Sequence, residues 1–399
     1  MRAKKISIYL LLSIIILLIA GVVFSYFSPL PSIKTVAIFK PTAIDNNQPI
    51  TWPSGGSQAI GIVGYGIYNQ SGALTPSPVA STIKVLLALS VLNEKPLGIN
   101  QEGPNIVISQ SDVNDYNTDL SLDESVVKVQ SDEIISEYQA LQALLIASSN
   151  NFAQILVNWA FGSTTKYLVY ANRYAKSLGM DSTIISDDSG YSILTTSNAV
   201  DLVTLGQKAI TNPVIASIVS QYTATIPVVG KIVNYNSNLN PIVNNQIDGI
   251  KTGNTTQGGG NYIYSSTYLG YKIVGSIVGA QDLNAALVEG PKTLDTYEQL
   301  IKIQNIILKN QVVGYYDLPW GNKIYIYSKN NLYLPIEPNI KYSIGLNLSS
   351  YSKNQSILNN YLTIKDNKIT NKYPLAIQNT YKKPSLWWLI KYNLKKLPS

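Results

Sequence analysis

The chain has 399 residues, of which 45% are apolar and only 13% are charged, and its formal net charge is +7. This length can hold two domains, and the apolar content is enough for a sizeable core. There is no histidine and no cysteine, which excludes disulfides, thiol nucleophiles, Ser-His-Asp triads and most metal centres. Any enzyme chemistry must therefore use serine, lysine, tyrosine or carboxylate groups, and we expect no metal and no cofactor.

The N-terminus predicts a membrane segment. Residues 6–27 carry no charge, and at about 1.5 Å per residue they span the roughly 30 Å of a bilayer core. A cleavable signal peptide is the alternative, but the best cleavage candidate, Val23-Phe24-Ser25, lies inside the apolar run. We therefore expect a retained anchor. Arg2, Lys4 and Lys5 predict that the N-terminus stays inside and the rest of the chain lies outside.

The next elements in chain order alternate between sheet and helix. The sequence predicts a strand at 59–69, a helix from about Ser81 to Asn93, and two helical patterns in 137–160 that flank a polar break at 148–151. A helix at 198–210, a strand at 247–252, two strands in 261–280 joined at Gly270 and a helix at 292–309 follow. This mixture predicts one α/β domain.

The C-terminal part has a different pattern. Residues 311–378 are short alternating segments separated by Pro, Gly and Asn-rich turns, which predicts a small all-β domain. The last stretch predicts a basic amphipathic helix, because its apolar residues share one helical face: Leu386, Leu389, Ile390, Leu394 and Leu397. We expect this tail to touch a membrane surface. The alternatives are a helix docked on the β domain and a frayed tail. The basic ends favour a membrane over a nucleic acid as partner.

Three polar clusters interrupt the apolar background. In "ASTIKVLLAL" (80–89), Ser81 and Lys84 are three residues apart, so on a helix the amine can reach the hydroxyl. A neutral lysine can replace imidazole as the base that takes a serine proton, provided that its pKa falls from about 10.4 to about 7–8. Taken alone, however, this pattern is more typical of a helix cap with a surface lysine.

The other two clusters are "SSNN" at 148–151 and "KTGNT" at 251–255. Burying four polar residues within apolar helical sequence costs free energy unless they line a site. An ordinary turn is the simpler alternative. A lysine on an inner strand needs a partner or a cleft, and Gly253 lets a ligand approach the backbone. An edge strand that ends in a turn is the alternative there.

Together, the order S-x-x-K, S-x-N, K-T-G is a signature of penicillin-binding proteins and serine β-lactamases. The sequence resembles the low-molecular-weight D-alanyl-D-alanine carboxypeptidases of serine peptidase family S11. "SPVASTIKV", "ALLIASSNNFA", "DDSGYS" and "DGIKTGNT" all carry this resemblance. It implies an α/β fold of the β-lactamase/transpeptidase type, with an antiparallel sheet flanked by helices and a helical subdomain. A small all-β domain would follow.

The resemblance also implies roles for individual residues. Ser81 would attack the carbonyl of the penultimate D-Ala, Lys84 would act as base, and Ser148, with Lys251 nearby, would relay a proton to the leaving D-Ala. Asn150 would bind the peptide backbone and help to position Lys84. The remaining residues lie in the substrate-binding strand: Thr252, Gly253, Asn254 and Thr255. The backbone N–H groups of residues 81 and 254 would form the oxyanion hole, and Thr252 and Thr255 would bind the terminal carboxylate.

Ser149-Asn150-Asn151 fits the S-x-N pattern as well as Ser148-Ser149-Asn150 does, so the choice of Ser148 rests on the resemblance. A class A β-lactamase would need a deacylating glutamate, and there is no glutamate from residue 151 to 288. A peptidoglycan DD-endopeptidase of the same fold is a closer alternative. An inactive wall-binding protein is a third.

We therefore expect a serine D-Ala-D-Ala carboxypeptidase that trims peptidoglycan stem pentapeptides through an acyl-enzyme and is acylated by β-lactam antibiotics. It would be a single-pass protein of the bacterial plasma membrane with its active site outside. The expected division is an anchor at 1–30, a catalytic domain at 31–310, an all-β domain at 311–380 and a basic tail at 381–399.

Overall fold

The computed structural model describes residues 2–67, 69–242, 246–351, 359–366, 369–378 and 381–396. These residues form two compact units. The larger unit contains Asn46–Ile301 and Glu337–Ile340. The smaller unit contains the described residues of Met1–Asp45, Lys302–Ile336 and Lys341–Ser399.

The helices agree with most of the helical patterns in the sequence. They are α1 (Arg2–Phe27), α2 (Lys84–Glu94), α3 (Gln110–Ser121), α4 (Glu137–Leu145), α5 (Asn150–Phe161), α6 (Thr164–Ser177), α7 (Ala199–Ile210), α8 (Pro213–Val219), α9 (Leu283–Leu300) and α10 (Leu386–Leu394). Short 3-10 turns occur at Ala80–Ile83 and Ser237–Leu239. The helix predicted at 81–93 thus begins with a 3-10 turn, and the expected polar break separates α4 from α5.

The strands are β1 (Lys34–Ala37), β2 (Thr42–Asn46), β3 (Ser57–Ile62), β4 (Asn69–Ser71), β5 (Ser77–Pro78), β6 (Asn105–Val107), β7 (Ile134–Ser136), β8 (Thr196–Ser197), β9 (Thr223–Ile226), β10 (Gly230–Val233), β11 (Gly249–Thr255), β12 (Gly259–Tyr268), β13 (Tyr271–Ala280), β14 (Lys302–Ile307), β15 (Val312–Asp317), β16 (Lys323–Tyr327), β17 (Leu332–Ile336), β18 (Ile340–Asn347), β19 (Tyr361–Lys365), β20 (Thr370–Pro374) and β21 (Ala376–Ile377). The single strand predicted at 59–69 is therefore two strands. Gly64 and Gly66 adopt left-handed conformations between them (φ +86° and +88°) and turn the chain.

The larger unit is built on an antiparallel sheet in the order β11-β12-β13-β3-β4. Side chains alternate across it, as the two-residue period of a strand requires. Tyr262 and Tyr264 of β12 lie in one core with α9, whereas Ile263 between them lies in a second core with α2, α5 and α7. Helices thus cover both faces of the sheet.

Helix α2 is the central helix of the larger unit. It packs against α4, α5, α6 and α7, and every residue from Lys84 to Leu92 is buried. A helix that is apolar on all sides is typical of a core position. The "VLLAL" segment therefore holds the start of α2 in a fixed position.

The bounds predicted for the helix at 292–309 are wrong at both ends, because the helix spans Leu283–Leu300. Helix α9 begins after Asp282, whose carboxylate accepts from Ala285 N at 2.8 Å, and it continues through Pro291. Proline cannot supply the N–H that would bond the carbonyl four residues earlier. Asn238 Nδ2 donates to that carbonyl, Leu287 O, at 2.9 Å instead. After α9 ends at Leu300, residues 302–307 form strand β14, which pairs with β17.

The smaller unit contains the all-β part of the chain. Its sheets have the strand orders β1-β15-β16-β21 and β2-β18-β19-β20, and β14 pairs with β17. Residues 34–46, which we expected within the catalytic domain, form β1 and β2. Strand β1 pairs with β15, almost 280 residues further along the chain. Short strands whose partners are so distant have no local sequence signal. The other expected boundaries stay predictions.

The predicted membrane segment and tail are both helices of the smaller unit. The Ile8–Phe27 part of α1 has the length and hydropathy of a membrane span, and almost all of it is exposed. Helix α10 packs against α1, and Asn393 Nδ2 lies 3.5 Å from Ser25 O. Of the predicted apolar face, Leu389 is buried, Leu386 and Leu394 are exposed, and Leu397 lies outside the described residues.

Candidate active site

Ser81 lies in the 3-10 turn that leads into α2. The residue before it, Ala80, has a left-handed backbone conformation (φ +50°), which is uncommon for a residue with a side chain. Gly190 packs directly on this turn, because a Cβ at residue 190 would lie 2.1 Å from Ala80 O. The glycine of the "DDSGYS" segment therefore supports the backbone of the candidate nucleophile. Ser81 caps no helix, contrary to the simpler alternative.

Lys84 begins α2 and is completely buried. Its Nζ lies 2.8 Å from Ser81 Oγ and 2.7 Å from Ser148 O, and it also bonds Asn150 Oδ1. Burial lowers the pKa of Lys84 to about 7, although the carboxylates of Asp188, Asp187, Glu124 and Asp119 oppose this shift. A large fraction of Lys84 is therefore a neutral amine near pH 7, which is the form that can accept a proton.

The polar break presents alternate residues to opposite sides. Ser148 has a left-handed backbone (φ +58°) and its carbonyl meets Lys84, while Asn150 begins α5 and meets the same amine. Ser149 caps α5 through Phe152 N, at 3.3 Å, and bonds Asn151 Oδ1 at 2.6 Å. Asn151 in turn bonds the backbone of Val127. The pair 148/150 thus faces the lysine, whereas 149/151 are structural.

Lys251 approaches from strand β11 and is 2% exposed. Its Nζ lies 3.0 Å from Ser148 Oγ and 2.9 Å from Thr252 O. Burial, together with the neighbouring Lys84, lowers the pKa of Lys251 well below its usual value. Ser148 therefore bridges the two lysines, with its carbonyl to Lys84 and its hydroxyl to Lys251.

Strand β11 runs close beside the Ser81 turn. A Cβ at Gly253 would lie 2.9 Å from Val79 O and 3.0 Å from Ser81 N, so only glycine allows this approach. Asn254 is exposed and Thr252 is buried on the same strand. Thr255 is half-buried, and its hydroxyl accepts from Gly258 N at 2.9 Å. Of the nine residues selected from the sequence, the structure joins Ser81, Lys84, Ser148, Asn150 and Lys251 in one hydrogen-bonded network, and the other four continue along β11.

Carboxylates near the lysine were not identified by the motifs. Glu124 accepts from Asn150 Nδ2. Burial and Asp187 raise the pKa of Asp188 to about 6, and partial burial and Glu124 raise the pKa of Asp119 to about 6. Adjacent acids occur at 123–124 and at 187–188, but also at 132–133, so this pattern alone does not single out the carboxylates near Lys84.

Asp187 organises the loop that carries Gly190. Its carboxylate accepts from Tyr191 N at 2.8 Å, from Ser189 Oγ at 3.0 Å and from the Thr195 hydroxyl. A carboxylate that accepts several donors fixes a loop strongly. This side chain therefore holds the loop that supports Ala80 and, through it, Ser81.

One family model matches the sequence of this chain. The family model for S11 peptidases, described as D-alanyl-D-alanine carboxypeptidase, matches residues 67–282, which is just over half of the chain. A comparison with curated proteins finds no match.

Solved structures share the fold. Penicillin binding protein 5 from Haemophilus influenzae aligns with a TM-score of 0.65 and 17% identity, over 83% of this chain and 99% of that one. A peptidoglycan synthesis regulatory factor from Streptococcus pneumoniae gives 0.67 and 14%, over 82% and 99%. A D-alanyl-D-alanine carboxypeptidase from Mycobacterium tuberculosis gives 0.54 and 24%, over 65% and 95%. The predicted fold class is confirmed.

Proposed function

The chain belongs to the peptidase S11 family of D-alanyl-D-alanine carboxypeptidases, and we propose that Ser81 is the nucleophile of its serine peptidase reaction, with Lys84 as the base. The chain is thus a serine carboxypeptidase of the penicillin-binding type. The observation that supports these roles best is the position of Lys84 Nζ, which bonds Ser81 Oγ, Ser148 O and Asn150 Oδ1 together.

Acylation begins when neutral Lys84 takes the proton of Ser81 and Oγ attacks the carbonyl carbon of the penultimate D-Ala. The negative charge that develops on the carbonyl oxygen is stabilised by the N–H groups of Ser81 and Asn254. Gly253 lets β11 lie near enough to the Ser81 turn for both groups to face one oxygen. Asn150 also binds the substrate backbone, and Thr252 and Thr255 bind its carboxylate.

The leaving D-Ala nitrogen needs a proton, which Ser148 donates from its hydroxyl. The proton that Lys84 took from Ser81 passes to Ser148 in its place, which leaves Lys84 neutral again. Lys251 Nζ, 3.0 Å from the Ser148 hydroxyl oxygen, holds that group by a hydrogen bond. Water then attacks the acyl-enzyme, and Lys84 takes a proton from the water and returns it to Ser81 Oγ as the acyl bond breaks. The products are the shortened peptide and free D-Ala, and Ser81 is regenerated.

The family acts on peptidoglycan, and the N-terminal apolar helix is compatible with a membrane anchor. We propose that stem pentapeptides are the substrates and that β-lactams acylate Ser81. We also propose that α1 spans the plasma membrane and that the larger unit faces the wall. The basic residues before α1 support this orientation.

The test is release of D-Ala by the full-length protein in detergent. A pentapeptide ending in D-Ala-D-Ala should yield free D-Ala, and Ser81→Ala should abolish this and the covalent labelling by penicillin. Ser90→Ala removes a buried hydroxyl from the same helix, where it bonds Leu86 O, and should retain activity. An active Ser81→Ala variant would overturn the proposal. If only cross-linked dimers are cleaved, the protein is instead an endopeptidase.

A further inference from the structure

Glu124 contacts the network of Lys84 from outside the three motifs. It follows the last turn of α3, where its N–H donates to Asp119 O at 3.0 Å. The next carbonyl, Ser125 O, accepts from Asn150 N at 2.7 Å. The backbone around Glu124 is therefore bonded to the first residue of α5, and the glutamate side chain reaches the Asn150 amide from a fixed position.

The Asn150 amide has a different partner at each end. Its Oδ1 accepts from Lys84 Nζ, and its Nδ2 donates to Glu124 Oε2. A side-chain amide has one accepting end and one donating end, whereas an ionised carboxylate only accepts. If the amide turned over, its oxygen would face the carboxylate and its NH2 would face the lysine. Glu124 thus permits one orientation of Asn150 and opposes the other.

This orientation determines which way the lone pair of the neutral lysine points. A neutral amine has two N–H groups and one lone pair, and Lys84 has three partners. Ser148 O and Asn150 Oδ1 can only accept, so they take the two N–H groups, and the lone pair is left for the Ser81 hydroxyl. A reversed Asn150 would offer N–H to Lys84 and compete with Ser81 for that lone pair.

We propose that Glu124 is a positioning residue of the reaction: through Asn150, it directs the lone pair of Lys84 to Ser81. The proposal rests on the assignment of Lys84 as the base. It adds a specific requirement, namely that a negatively charged hydrogen-bond acceptor stands behind Asn150.

Glu124 also acts on Lys84 by charge. Asp188, Asp187 and Asp119 are the other carboxylates that favour the protonated lysine. Lys251 stands on the opposite side, from β11, where its own pKa is lowered by Lys84. Loss of the Glu124 charge should lower the pKa of Lys84, so that the acid limb of activity moves to lower pH.

Two substitutions separate orientation from charge. Glu124→Ala removes both the acceptor and the charge. Glu124→Gln removes the charge but keeps a group that can bond either end of the Asn150 amide, so the wrong orientation becomes possible without being enforced. Asp123→Asn is the matched control, because it removes a charge from the adjacent, exposed residue.

The experiment measures kcat and KM for the D-Ala-D-Ala pentapeptide from pH 5 to 10, with the full-length protein in detergent. In Glu124→Ala the high-pH plateau of kcat should fall about tenfold, as expected for one lost hydrogen bond to a charged group. The plateau of kcat should fall less in Glu124→Gln. In both variants the acid limb should move to lower pH, and Asp123→Asn should match the wild type.

If Glu124 had only a structural role, its loss would lower the melting temperature and the active fraction without moving the acid limb of kcat, and that result would overturn the proposal. An unchanged high-pH plateau of kcat would overturn it as well. A second readout does not depend on turnover. An NMR titration of 13Cε-labelled lysine, with the Lys84 signal assigned by its loss in Lys84→Arg, should give a lower pKa in Glu124→Ala. If Lys84 proves not to be the base, this titration still decides whether Glu124 controls its protonation.

Discussion

The two sides of the active site each supply a buried lysine, and the two lysines differ in their surroundings. Lys84, on the helix side, lies near four carboxylates that favour its charged form, and its pKa is about 7. Lys251, on the strand side, is affected by burial and by Lys84, and both lower its pKa. Burial alone would keep both amines neutral. The carboxylates around Lys84 therefore place its titration near the pH at which a base has to exchange protons.

Loss of the helix-side amine should have the largest effect. Lys84→Met should reduce the acylation of Ser81 by penicillin by roughly 10²–10⁴-fold, the usual contribution of a general base. Lys128→Met, at an exposed position, should leave acylation unchanged. The measurement is the rate of covalent labelling. If penicillin labels the Lys84→Met variant at the wild-type rate, Lys84 is not the base, and Lys251 on the strand side becomes the candidate.

The residue that bridges the two lysines should come next. Ser148→Ala removes the hydroxyl that meets Lys251 and should lower kcat by roughly 10²-fold, with little change in melting temperature. Ser149→Ala removes the cap of α5 and should instead cost about 1 kcal/mol of stability while retaining activity. Activity assays and thermal unfolding of both variants decide between the two possible S-x-N assignments. The reverse pattern would make Ser149 the functional serine.

The distance between the two sides can be changed directly. Gly253→Ala introduces a Cβ about 3 Å from Val79 O and Ser81 N, so β11 or the Ser81 turn must move. Because displacements near 1 Å can cost about 10²-fold, we expect kcat/KM to fall by roughly 10–10²-fold. Gly270→Ala, in the β12–β13 turn, places its Cβ in open space, although the left-handed backbone there (φ +83°) should cost some stability. As a control for loss of a glycine far from Ser81, it should keep the activity per folded molecule. Normal kinetics in Gly253→Ala would show that the approach is not required.

The mildest perturbation is a change of pH on the intact protein. Since protonated Lys84 cannot act as a base, kcat/KM should fall about tenfold for each pH unit below about 7. The measurement is the initial rate of D-Ala release between pH 5 and 8 at low substrate concentration. A rate that stays constant down to pH 5 would contradict the helix-side lysine as base.

Local sequence patterns predicted the elements that carry the site. Helix α2, the α4–α5 break, α7 and strands β11–β13 all lie where the periodicity indicated, because the apolar residues of each element follow one period. The predicted bounds of α9 were wrong, since Pro291 interrupts the local signal and Asn238 replaces the missing N–H. Strands β1 and β2 were missed because their partners lie hundreds of residues away.

By itself, the sequence predicted the chemistry: histidine and cysteine are absent, and the order S-x-x-K, S-x-N, K-T-G carries a family resemblance that implies a lysine-activated serine. Only the tertiary structure determined the surroundings that set the pKa of Lys84. Glu124, Asp119 and the two acids of the 187–195 loop act on the pKa of Lys84 by their charge, from positions that no local period encodes. The pKa of a buried amine depends on every charge and hydrogen bond around it, and the fold alone brings those groups together.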